Sequence, residues 1–329
     1  MKYLKSLIVV VAGLLLLGLR STVGRLNFRN TVSGPQAADG EDADSPADLS
    51  PSGWKDALRR TKVALKDKQL STQAAGLAYY TTLTFFPALL GLATVYATFT
   101  SPQTLLDFIA GLQGIVPPAI YDVIDQQLSP LASAHKGSLG IAAIVSVLAL
   151  LWTTSGGLQN LIKATNVAYG VKETRGLVKL RLTSIVLSLV LLLLGTAILV
   201  MLLLQGTALD KLGAPHMIAT IFPWLRWPIL IVLISIMLSV IYRYAPNRQT
   251  PGWSWVSWGA AAATIIWLLG TALFFYYAQK FGNFNKSYGI FAGIIVLMTW
   301  FNLSSLIVLI GAQVNNKLEE VTDADTTAD

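Results

Sequence analysis

Apolar residues in this chain run in long blocks rather than alternating with polar ones. Six blocks carry no interior Lys, Arg, Asp or Glu: residues 75–98, 139–160, 182–204, 227–241, 253–277 and 288–312. A hydrocarbon layer about 30 Å thick needs roughly 20 mostly apolar helical residues to cross it, and these blocks meet that need. The fourth is the shortest, and its crossing extends into residues 242–245. Barrel strands would instead be about 10 residues of alternating polarity. The pattern predicts an all-α fold: a polytopic transmembrane helical bundle with six core spans.

Two shorter patterns flank these blocks. In residues 102–136, Leu105, Leu106, Phe108, Ile109, Leu112, Ile115 and Val116 form one helical stripe. Pro117-Pro118 interrupts it, and Ile120, Val123, Ile124 and Leu128 resume one. This predicts two amphipathic helices on the outer membrane face, a lid or a gate over the bundle. Near the start, residues 6–19 are an apolar run between Lys2, Lys5 and Arg20, Arg25, Arg29, with no small-x-small cleavage site after it. It reads as an uncleaved, marginal extra N-terminal helix or as an interfacial one. The domain reading is therefore 1–29 for this hydrophobic helix, 30–53 for a disordered acidic linker, 54–317 for the six-span membrane domain and 318–329 for an acidic tail.

Composition agrees with the pattern. The chain is 54% hydrophobic and 12% charged, against about 45–50% and about 25% in soluble domains. No cysteine is present, which excludes disulfides, thiolate nucleophiles and cysteine-ligated metals. The formal charge of +7 matters less than where the basic residues fall. Fourteen lie on one side of the six blocks: Lys55, Arg59, Arg60, Lys62, Lys66, Lys68, Lys163, Lys172, Arg175, Lys179, Arg181, Arg243, Arg248 and Lys317. The alternate loops hold five, Lys136, Lys211, Arg226, Lys280 and Lys286. Basic loops stay cytoplasmic, so both ends of the core are expected inside. Trp224 and Trp227 then mark the outer interface, and Trp253, Trp255 and Trp258 the inner one.

Reactive chemistry is sparse. The only histidines, His135 and His216, fall in expected outer loops, and no HExxH, GxSxG or phosphate-loop motif occurs. No metal, cofactor or catalytic set is read from these residues, and Asp107, Asp122 and Asp125 read as solvated surface acids. What remains is uncharged polarity at one depth. Gln73, Gly76, Tyr80, Thr84 and Pro87, with Thr81 beside them, recur at helical spacing in the first span. Thr154, Ser155, Gln159, Lys163 and Asn166 do so in the second, and Asn302, Ser305, Gln313 and Asn316, with Ser304 adjacent, in the sixth. In hydrocarbon such groups need partners. They either hydrogen-bond between helices or line a polar pocket open to the inner leaflet, with Pro87 shaping it and Lys163 or Arg243 at its mouth for an anionic headgroup. The candidate substrate-binding residues are Tyr80, Thr84, Ser155, Gln159, Lys163, Arg243, Asn302 and Ser305.

A weak internal repeat involves the same helices. Residues 138–141 (SLGI) match 287–290 (SYGI), and at that offset Ser155 matches Ser304 and Asn166 matches Asn315. Gly289 and Gly293 form a GxxxG pair, which permits close helix approach and a homo-oligomer.

Residues 74–80 (AAGLAYY) followed by Phe86-Pro87, residues 242–246 (YRYAP), and Tyr288-Gly289, Gly293, Trp300 and Gly311-Ala312 through Asn315 resemble signatures of the YihY/virulence factor BrkB family of bacterial inner-membrane proteins. Where that family's pattern leads one to expect Glu after Gly-Ala, this chain has Gln313. The resemblance covers residues 54–317 and implies six spans, a multi-pass protein of the bacterial inner (plasma) membrane, and membrane lipid as partner. Family members carry an old "ribonuclease BN" label, which these residues do not support: neither an enzyme nor a nucleic-acid partner is expected. The function expected is transport, or assistance to transport, of an amphipathic anionic substrate such as lipid through a polar cavity in the inner half of the bundle. The alternative is a noncatalytic scaffold in envelope assembly.

Overall fold

The computed structural model describes residues 46–65, 68–99, 101–113, 116–132, 139–203, 216–280 and 290–321. Among them the regular structure is helical, with no β-strand. In chain order the helices are α1 (Pro51–Ala64), α2 (Lys68–Phe99), α3 (Pro102–Gly111), α4 (Pro118–Ala132), α5 (Leu139–Ala168), α6 (Leu177–Leu203), α7 (His216–Tyr244), α8 (Trp253–Lys280) and α9 (Ile290–Glu319). The expected N-terminal helix lies outside the described residues.

The described residues of the six apolar blocks fall in α2 and α5 to α9, which are 27 to 32 residues long. Four of these helices contain stretches long and apolar enough to cross a membrane: Leu177–Leu202, Thr220–Tyr244, Trp253–Gln279 and Phe291–Glu319. α7 begins well before its apolar block, so His216 and Arg226, expected in a loop, are helical. Its backbone stays helical through Pro223 and Pro228, as hydrocarbon demands of a chain that has no water to bond.

Local rules set several ends. Ser50 and Ser101 cap α1 and α3, their hydroxyls accepting from the backbone N–H of Gly53 (3.1 Å) and Thr104 (3.2 Å), each with proline at the first helical position. α5 stops where Gly170 takes the left-handed conformation (φ 69°). There the N–H of Val171 donates to the Asn166 carbonyl and that of Gly170 to Val167.

α9 is the hub, lying against α8, α2, α4, α1 and α5, while α2 runs along α5, α5 along α6, α6 along α7 and α7 along α8. One core layer joins α2 and α5 to α9 at the end of the bundle that bears α1, with Leu77, Ile162, Leu187, Leu238, Ala260 and Leu309 among its buried members. A second lies toward the other end. There Leu105, Ile109 and Leu112 of the α3 segment and Ile120, Ile124 and Leu128 of α4 bury their stripes against Ala93, Leu297 and Phe301 of α2 and α9. The two amphipathic helices thus exist as expected and cover the bundle. Gly293 is what lets α4 approach: a Cβ there would overlap the Ala119 carbonyl oxygen and lie 2.6 Å from Val123 Cγ2. This half of the GxxxG pair faces a helix of its own chain.

Residues at both edges of the bundle pack onto it. Trp54 Nε1 donates to the Pro46 carbonyl at 3.0 Å, and Leu49 and Gly53 are buried. α9 runs to Glu319, and Leu318 and Glu319 are buried. Apolar packing on α1 and a buried ion pair hold these residues, and neither is visible to composition.

Candidate functional site

Thr84 of α2 lies against Gly157 of α5, where a Cβ would stand 2.8 Å from the threonine Oγ1. This contact sets the α2 row beside the α5 row. Tyr80 is 45% exposed, Thr84 and Gln159 are partly buried and Lys163 is exposed, whereas Ser155 is fully buried. The Thr84 hydroxyl donates to the Tyr80 carbonyl (2.7 Å), and that of Ser155 to the Trp152 carbonyl (2.8 Å), which also accepts from Arg181 Nη2 (3.2 Å). On α9, Asn302 is partly buried and Ser305 buried, while Ser304 accepts from Trp267 Nε1 of α8 at 2.9 Å. Arg243 belongs to a different place. It donates to the Pro251 carbonyl, and its guanidinium lies over the rings of Trp253 (4.6 Å) and Tyr244 (5.6 Å) at the α7–α8 turn.

The most elaborate polar cluster was missed by sequence reasoning. It sits where α5, α7 and α9 end. Arg248 of the α7–α8 turn pairs with Glu319 of α9, both side chains 0% exposed. The same guanidinium stacks 3.9 Å over the ring of Tyr169 at the α5 exit and lies 3.4 Å from the Tyr242 carbonyl. Burial pushes the Tyr169 phenol up, against the pull of the Arg248 charge. A charge-assisted hydrogen bond to α9 and a cation–π contact at the α5 exit thus tie three helix ends together.

A second clasp surrounds the first. Asn166 accepts from the Asn247 N–H (2.7 Å) and donates to Glu173 (2.9 Å), which binds Arg175 through both carboxylate oxygens, while Arg175 also reaches the Ala245 carbonyl (2.9 Å). Burial raises the Glu173 carboxyl, but hydrogen bonds from Arg175 and Asn166 outweigh it and hold the group below the usual carboxylate range. On α9, Asn315 accepts from the Gly259 N–H of α8 at 2.7 Å. Asn166 and Asn315 are the pair matched by the sequence repeat, and each is a buried side chain accepting a backbone N–H from a neighbouring element. That match was one signal pointing here. Among the described residues no three His, Cys, Asp or Glu gather as a metal-ion site.

Residues 62–329, nearly all of the bundle just described, match the family model for virulence factor BrkB. The chain belongs to the virulence factor BrkB family. It is 30% identical over 256 residues to a protein of Bacillus subtilis named ribonuclease-like, YfkH, covering 76% of this chain and 90% of that one. It is 31% identical over 252 residues to the UPF0761 membrane protein Nmul_A0452 of Nitrosospira multiformis (73% and 56% covered), so the chain spans about half the length of that relative. With the UPF0761 membrane protein NTHI0384 of Haemophilus influenzae it shares 21% over 268 residues (78% and 92%). No solved structure matches the chain. As a BrkB family member it is a membrane protein, consistent with its long apolar helices.

Proposed function

We propose that this BrkB family protein is a six-span inner-membrane transporter, or assists a transporter, for an amphipathic anionic substrate such as a lipid. The observation that carries this reading is the polar row on α2. Tyr80 is 45% exposed, and Gln73 and Thr84 on the same helix are partly buried; in a helix that crosses a membrane, contact of the Tyr80 hydroxyl with acyl chains would leave its hydrogen bonds unmet. Thr84 against Gly157 sets this row beside Gln159 and Lys163, so a substrate headgroup there meets hydroxyls, an amide and one cation. Ser155 and Ser305 are buried in this conformation and join the path when the helices part.

Both ends of the bundle core are proposed to be cytoplasmic. A reporter inserted at 172–179 should read cytoplasm, and one at 210–214 should read the outside; reversed signals end this orientation. The path itself is tested with single cysteines, since the chain has none. Cysteines replacing Tyr80, Thr84, Ser155, Asn302 and Ser305 should react with a water-soluble thiol reagent supplied from the cytoplasmic side, Ser155 and Ser305 most slowly. Cysteines replacing Leu191 and Leu268 should not react. If all five stay unreactive in folded protein, the rows are dry interhelical contacts and the scaffold reading takes over.

A further inference from the structure

α1 carries three chemistries on three sides. Gly53, Ala57 and Thr61 are buried, and Ala57 packs with Leu49, Trp255 and Leu318 where α8 begins and α9 ends. Leu58 and Leu65 at the helix cap are exposed apolar residues, 55% and 39%, and Lys55, Arg59 and Lys62 are exposed cations. At about 100° per residue, the three cations fall within about 60° of one another, and Trp54, Leu58 and Leu65 occupy the flank between that basic side and the buried one. Val63 lies off this flank. The acid of the helix, Asp56, is already engaged by Arg60 at 2.7 Å, with Arg59 at 3.9 Å.

The level of this helix is marked by aromatics. Trp54 meets Trp258 edge-on, ring centroids 5.1 Å apart, and Trp258, Trp253 and Tyr244 are exposed around the α7–α8 turn. Trp and Tyr emerging at the helix ends of a membrane protein mark the headgroup region. An apolar flank at that level suits acyl chains, and a cationic side next to it suits phosphates.

We propose that α1 lies in the plane of the membrane interface as a binding surface for anionic phospholipid headgroups of the leaflet it borders. Lys55, Arg59 and Lys62 contact the phosphates, while Leu58 and Leu65 enter the acyl boundary. The buried side of α1 rests on Leu318, the residue before Glu319, so bound lipid braces the end of α9 that carries the buried ion pair. This needs only that the bundle sits in a membrane, and it stands whether or not the protein transports anything.

The test uses the purified full chain in nanodiscs. A thiol dye on Leu58→Cys should be quenched by lipids brominated on their acyl chains, and the same dye on Arg59→Cys should not. In mixed micelles, phosphatidylglycerol should bind the wild type more tightly than phosphatidylcholine. Each basic side chain near an anionic surface contributes roughly fivefold, so K55Q/R59Q/K62Q should weaken phosphatidylglycerol binding by about 100-fold. The exposed pair K172Q/K179Q, away from α1, should change it little. An unquenched dye at Leu58, equal loss in both variants, or protection of the Leu58 dye by RNA rather than by phosphatidylglycerol would overturn the proposal.

Discussion

Glu319→Ala is expected to destabilise the folded bundle by about 3–5 kcal/mol, the cost of leaving one member of a fully buried ion pair without its partner. The Arg248 guanidinium has no exposed side-chain surface, so water cannot replace the lost carboxylate, and Tyr169 lies against its face. Arg248→Ala should be comparably damaging, because it strands the Glu319 carboxylate and uncovers Tyr169. The double replacement Arg248→Leu/Glu319→Leu should recover much of the loss, since exchanging a whole buried pair for apolar groups is often near neutral. Thermal unfolding of detergent-solubilised protein measures all three. Because the pair is shielded from solvent, raising salt should leave the difference between wild type and Glu319→Ala almost unchanged. Single variants as stable as the wild type would show that the three helix ends are held by apolar contacts instead.

The second large effect is expected at the crossing of α8 and α9. A Cβ on Gly311 would overlap the Tyr242 hydroxyl oxygen and lie 2.7 Å from Ala263 Cβ and 2.9 Å from the Gly259 carbonyl oxygen. A Cβ on Gly259 would overlap the Gly311 carbonyl and Asn315 Oδ1. Overpacking usually costs about 1–3 kcal/mol, and obstruction by backbone on both sides puts Gly311→Val and Gly259→Val at or above the top of that range. Tyr242 donates its hydroxyl to the Val308 carbonyl at 2.8 Å, so the ring is held over the crossing. Tyr242→Phe should therefore soften Gly311→Ala but not Gly259→Ala, a coupling that a double-mutant cycle resolves. Gly195 is the control: it is helical with nothing within 4 Å of an added Cβ, and Gly195→Ala should stabilise α6 by up to about 1 kcal/mol. Equal tolerance at Gly195 and Gly311 would contradict the close approach of α8 and α9.

Much of this fold was legible along the chain because hydrocarbon leaves the backbone little choice. A long apolar block must be helical to bond its own amides, so residues 139–160 and 253–277 lie within α5 and α8, and the described residues of the block 182–204 lie within α6. The stripes of α3 and α4 were legible for another reason. Those helices have a wet side and a dry side, so Leu105, Ile109, Ile124 and Leu128 stand out by period alone. The family, too, was readable in short motifs around Tyr80, Arg243 and Gly311.

Facing was not legible. A helix with lipid on one side and other helices on the other is apolar all round, so its pattern does not say which side meets which neighbour. For that reason the polar rows of α2 and α5 could be listed from the sequence, while the exposure of Tyr80, the full burial of Ser155 and the packing of Thr84 on Gly157 came only from the tertiary structure. The ion pair was further out of reach. Arg248 and Glu319 are 71 residues apart, and Asn166 and Asn247 are 81 apart. Arg248, Glu319 and Asn247 look like loop or tail residues in their own neighbourhoods. By itself the sequence determined a helical membrane protein, its long helices and its family, because the solvent acts on every residue locally. Only the tertiary structure decided which polar side chains are sealed together at the end of the bundle, because a partner for a buried charge is chosen by where helices end in space.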